Sequence, residues 1–137
     1  MKTFFDTNVL VYTFDASEPA KRERAQLLLE AHTARGETLL STQVLQEFYV
    51  AATRKLALAV DEQTAHDAVK ELALLPIVQV DPGMILAAIR RSHRERLSFW
   101  DALIVEAAIQ GGASTLYTED LQSGASFDGL RVVNPFA

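Results

Sequence analysis

Apolar positions along this chain follow two rhythms. Short apolar and β-branched runs read as strands: "KTFF" at 2–5, "ETLLS" at 37–41, "IVQV" at 77–80, "STLY" at 114–117 and "RVV" at 131–133. The longer stretches between them carry helix start and stop signals. "VLVYTF" (9–14) makes a brief helix, and Ser17, Glu18 and Pro19 open a second one over 20–35 that Gly36 closes. Ser41 or Thr42 caps a helix over 43–56, and Asp61 caps another over 62–75 that Pro76 breaks. Asp81 followed by Pro82 starts a helix running to about Arg96, and a last helix over 98–110 ends at Gly111 and Gly112.

That last helix is unusual. From Phe99 to Ile109 every residue is apolar except Asp101 and Glu106, the pattern of a helix buried on most sides. An ionised carboxylate there needs a partner. Ser98 and Asp101 have capping-box spacing, which would supply one. Glu106 lies about 140° further around the helix and is expected at a solvent edge.

Strands alternating with helices predict an α/β sandwich with a mainly parallel central sheet, filling 1–137 as a single domain. Ligands in such sheets bind beyond the carboxyl ends of the strands, and acids follow several of them: Asp6, Asp81, Glu119 and Asp120. Asp81 is explained as a cap by Pro82 behind it. Asp6 or Thr7 can cap the short helix, and Asp120 suits a solvated turn. Glu47 shares a polar helix face with Gln43 and Arg54, which a plain solvent position would explain. Taken singly, each acid has an ordinary structural reading.

Composition narrows the chemistry. At 137 residues and 15.1 kDa, with 49% hydrophobic and 23% charged residues, the chain has the make-up of a soluble globular domain. The absence of cysteine excludes disulfides, thiolate metal sites and cysteine nucleophiles. His32, His66 and His93 are scattered singly and read as surface residues. No apolar run is long enough to span a bilayer, and Asp6 and Asn8 interrupt the N-terminal run well short of a signal-peptide core; a cytoplasmic location is expected. The net charge of -5 argues against indiscriminate polyanion binding, yet "KRER" (21–24) and "RRSHRER" (90–96) are locally basic. Arg90, Arg91 and Arg94 suit either a solvated helix face or phosphate contacts beside Asp101. Neither G-x-G-x-x-G nor a P-loop is present. A receiver-type phosphoacceptor domain fits poorly, because the first strand ends in a single acid and no lysine follows residue 70.

Taken together the acids match a known arrangement. "FFDTNVLVY", "QEFYVAATRK", "LSFWDALIVEAA", "LYTEDLQSG" and "RVVNPF", in that order, resemble the PIN-domain ribonucleases, and most closely the VapC-like toxins of bacterial toxin–antitoxin pairs. The resemblance runs essentially end to end. It implies a PIN-like three-layer sandwich and a metal-dependent endoribonuclease with Asp6, Glu47, Asp101 and Asp120 as catalytic and metal-binding acids. Thr7, Asn8 and Thr118 would be supporting or substrate contacts, and Glu119 a neighbour rather than a ligand. The implied partners are an RNA substrate, a cognate antitoxin and a second copy of the chain; the alternative is an inactive PIN-like module that binds RNA or protein. An all-oxygen donor set suits Mg²⁺, with Mn²⁺ as substitute, and such a cation would be the partner that Asp101 needs.

Overall fold

The computed structural model describes residues 1–137. Six strands form one sheet: β1 (Lys2–Phe5), β2 (Thr38–Ser41), β3 (Ile77–Val78), β4 (Ala113–Tyr117), β5 (Ser126–Phe127) and β6 (Leu130–Val133). The helices are α1 (Thr7–Tyr12), α2 (Pro19–Ala34), α3 (Thr42–Arg54), α4 (Glu62–Leu72), α5 (Pro82–Glu95) and α6 (Phe99–Gln110). The strand order is β3-β2-β1-β4-β6-β5, all parallel except β5, which pairs antiparallel with β6. This is the expected α/β sandwich with a mainly parallel sheet.

Parallel strands are covered on both faces, so their residues read as continuous apolar runs. Central β1 behaves this way: Thr3, Phe4 and Phe5 are all buried. From β1 the chain builds the sheet outward one way through β2 and β3 and the other way through β4 and β6. The switch in direction falls between β1 and β4. A crevice opens beyond the carboxyl ends of strands at such a point, which is where Asp6 and the segment after Tyr117 lie.

Differences from the expected elements are local. The "IVQV" strand shortens to Ile77–Val78, because Val80 turns its N–H to the Thr42 hydroxyl (3.1 Å) and Asp81 caps α5. The helix capped by Asp61 stops at Leu72 rather than Leu75, its end closed by backbone bonds from Ala73, Leu74 and Leu75. Two-residue β5 carries too little pattern to stand out in sequence. Gly111, the C-cap of α6, has no room for a side chain: a Cβ there would come within 2.5 Å of Leu39 and 2.7 Å of Val78.

Ala102–Ala108 of α6 are buried without interruption, and Glu106 is among them, not at a solvent edge. Its partner is Arg91 of α5, itself only 4% exposed. The Arg91 guanidinium donates to Glu106 (2.7 Å), Glu95 (2.9 Å) and Asp128 (2.8 Å). Gln110 donates a further bond to Glu106 (3.2 Å). Arg91 is therefore a structural cross-link joining α5, α6 and the β5–β6 turn, and not a phosphate contact: each of its three nitrogens meets a carboxylate and burial hides it. His32 also departs from the surface reading. It packs edge-on against Phe5 and Tyr117, and burial, aided by Arg35, lowers its pKa. No helix is long and apolar enough to cross a membrane.

Candidate active site

Asp6 is the first residue beyond β1, and two demands fix it. Its carboxylate caps α1 by accepting the Thr7 N–H (2.7 Å), and its other oxygen accepts the Thr118 hydroxyl (2.8 Å). Thr118, the first residue beyond β4, is fully buried, so it is a strut and not a substrate contact. Its oxygen also accepts the Asp120 N–H (3.1 Å) and the Asn8 amide (3.4 Å). Asn8 in turn accepts the Glu119 N–H (3.3 Å). The ends of the two central strands are thus laced together, and the lacing sets where Asp120 stands.

Glu47 approaches from α3, where it accepts the Thr7 hydroxyl (2.7 Å) and the Gln43 amide (3.2 Å). Its polar face is directed into the crevice rather than simply to solvent. Asp101 enters from the first turn of α6. Ser98 caps that turn by accepting the Asp101 backbone N–H (3.1 Å), and its hydroxyl also meets the Asp101 carboxylate. Thr7, Asn8, Glu47 and Asp120 line a groove of about 760 Å³ together with Gln43 and Trp100.

The acids feel one another. Burial pushes Asp6 up to about 7, against the lowering bonds from Thr118 and Thr7, with Asp120 and Glu47 adding repulsion. Asp101 is raised first by burial and then by the same two neighbours, the Ser98 hydroxyl opposing. Both carboxyls favour the protonated form in the fold, so each contributes stability that is present below the ordinary Asp value and lost as pH rises. In EDTA, Asp6→Asn is expected to gain on the wild type between pH 5 and pH 8, the Tm difference widening in the variant's favour. Its full extent is on the order of a few kcal/mol. Thermal melts across that range check it; a constant difference would mean that Asp6 carries no such strain.

No three acidic or imidazole groups are drawn tightly enough to cage an ion by themselves. The donor chemistry nevertheless fits a hard divalent cation, because Mg²⁺ keeps several waters and takes only one or two carboxylates directly. Mutually repelling oxygens with no cysteine or histidine among them suit such an ion and disfavour zinc.

A family model of the PIN domain matches residues 3–123. The chain belongs to the PIN-domain family. Solved structures with the same fold include Mycobacterium tuberculosis VapC20, described as a Sarcin-Ricin loop cleaving toxin (TM-score 0.70, 19% identity, 87% of this chain and 90% of that one). A toxin–antitoxin complex from Klebsiella pneumoniae matches with TM-score 0.70 and 21% identity over 98% of both chains. DNA-bound VapBC from Salmonella typhimurium matches at 0.66 and 19% over 96% of both. No curated protein sequence matches.

Within this PIN domain the structure gathers Asp6, Glu47, Asp101 and Asp120, with Thr7, Asn8 and Thr118 between them. Arg90 and Arg94 are exposed on α5, and neither lines the groove or bonds to an acid of the cluster. Sequence reasoning missed Tyr12 and Lys21. Glu119 accepts from Lys21 (2.6 Å) and from the Tyr12 hydroxyl (2.7 Å), and the ammonium lies 4.8 Å from the Tyr12 ring centre. Burial works to raise Glu119, but these bonds outweigh it and hold the carboxyl below its ordinary range. Glu119 is therefore occupied as an anchor for the loop that carries Asp120. Lys21 opens "KRER", whose charge alone did not reveal which residue it would meet.

Proposed function

We propose that this PIN domain is a metal-dependent endoribonuclease, using Mg²⁺ or Mn²⁺, and the toxin of a toxin–antitoxin pair. The observation that carries this reading is the convergence of Asp6, Glu47, Asp101 and Asp120 at the switch point of the sheet. They arrive there from four separate segments: the end of β1, α3, the first turn of α6 and the loop after β4. The likeness to VapC20 and to VapBC complexes supports an RNA substrate and a small protein antitoxin. A homodimer follows from the same family resemblance and is tested by mass measurement in solution.

Asp6, Glu47, Asp101 and Asp120 would hold the cation. When bound, it would lower the pKa of a water and neutralise charge on the phosphodiester. Thr118 and Thr7 fix the first two carboxylates in place, so that little reorganisation is needed when charge develops. The Thr118 bond to the Asp120 N–H and the Lys21–Glu119 anchor set the fourth.

The test is incubation of the pure protein with structured RNA in Mg²⁺, in Mn²⁺ and in EDTA. Cleavage is expected with either ion and none in EDTA; tight binding without cleavage in any condition would make the protein a non-catalytic binding module. A second experiment addresses the exposed arginines. Replacing Arg90 and Arg94 by Ala is expected to flatten the log–log salt dependence of RNA binding by about 1.4, since each phosphate that an arginine neutralises on a single strand releases about 0.7 of a counterion. An unchanged slope would remove α5 from the RNA path.

A further inference from the structure

The chain has one tryptophan, and it is not in the core. Trp100 is 61% exposed at the start of α6, immediately before Asp101, and lines the groove that Glu47 and Asp120 border. Its position is nonetheless fixed. Phe99 packs edge-on against the indole, with ring centres 5.0 Å apart at 74°. The Gln43 amide nitrogen donates to the Trp100 carbonyl (3.2 Å) and to Glu47 (3.2 Å), tying the first turn of α6 to the acid on α3.

Gln43 adds a second observation. It is 4% exposed, it lines the groove, and its side-chain oxygen is the buried polar atom without a hydrogen-bond partner. Flipping the amide would not help, since both present partners are acceptors and need the nitrogen. An acceptor left unmet in this way costs stability, and that cost falls where the same amide ties the Trp100 turn to Glu47. Lys55 lines the same groove and supplies a cation that an anionic chain could meet.

We propose that Trp100 is a stacking platform for an unpaired base of the substrate RNA, the base flanking the phosphodiester that the acids cleave. This rests on the nuclease reading above and deepens it, by naming Trp100 as the residue that holds the base beside the cut. An exposed, oriented aromatic beside a phosphodiester site is how proteins hold single strands, because every base offers a π-face. The groove, at about 760 Å³, has the size of a small-ligand site, and Lys55 lies on its lining.

Because Trp100 is the sole tryptophan, its emission reports on the platform directly. Mixing wild-type protein with single-stranded RNA in Mg²⁺ is expected to quench that emission. Trp100→Ala is expected to raise KM about ten-fold with little change in Tm, and Trp100→Phe to restore most of the loss. Removing the base next to the mapped cut should cost the wild type a similar factor and cost Trp100→Ala nothing further. Cleavage by the wild type in Mg²⁺ with unmoved emission, an unchanged KM for Trp100→Ala and no penalty for the abasic RNA would overturn the proposal and leave Trp100 to a protein partner. Failure of the wild type to cut any RNA would instead overturn the nuclease reading itself, so the two failures are distinct.

Discussion

Asp101→Asn is expected to abolish RNA cleavage and, in EDTA, to raise the Tm. Both effects come from one geometry. Asp101 sits in an almost wholly apolar helix, raised in pKa by burial and by Asp120 and Glu47, with no cationic side chain to offset them. A neutral amide removes the repulsion, and active sites commonly trade stability for function in this way. Cleavage should fall by at least about a hundred-fold, the upper end of what losing even an outer support costs a metal site. The helix cap survives the change, because Ser98 accepts the backbone N–H of residue 101, which asparagine keeps. Mg²⁺ should stabilise the wild type by mass action and the variant much less. A variant that melts lower in EDTA, with an undiminished Mg²⁺ response, would make Asp101 a capping residue.

Arg91→Met is expected to have the largest effect on stability, a loss of about 3–5 kcal/mol. The substitution leaves Glu106 7% exposed, with Gln110 as its remaining partner. Losing one member of a buried pair is costly mainly because the other charge stays behind. Arg91→Met combined with Glu106→Met should therefore recover most of the loss. Denaturant unfolding of the two single variants and the double measures the coupling. A single-variant loss under about 1 kcal/mol would show that the cross-link is dispensable, since that is the range of ordinary surface pairs.

Periodicity and caps revealed most of the fold because they are local signals. Ser41, Asp61, Asp81 and Ser98 cap their helices as their positions implied. Partners distant in sequence were not legible. Nothing in "RRSHRER" separates buried Arg91 from exposed Arg90 and Arg94, because the distinction depends on α6 and on a turn 37 residues away. Glu106 was misjudged for the same reason: helical spacing gives an angle but not what packs there. At the site, the acids were legible through their order along the chain. The Thr118 strut, the Lys21–Glu119 anchor and the unmet Gln43 oxygen were not, since each needs the strand ends side by side. Trp100 was in plain view within "SFWDALIVEAAIQ", and only its exposure distinguishes it from a core aromatic.

The most direct measurement is the rate at which one RNA is cut across a Mg²⁺ titration that includes EDTA. It is made for the wild type beside Asp6→Asn, Glu47→Gln, Asp101→Asn and Asp120→Asn. The wild-type rate is expected to rise to saturation with Mg²⁺ and vanish in EDTA, and the four variants to stay near background throughout. A wild-type rate that EDTA leaves unchanged, or acid variants that cut as fast as the wild type, would contradict metal-dependent cleavage by these acids.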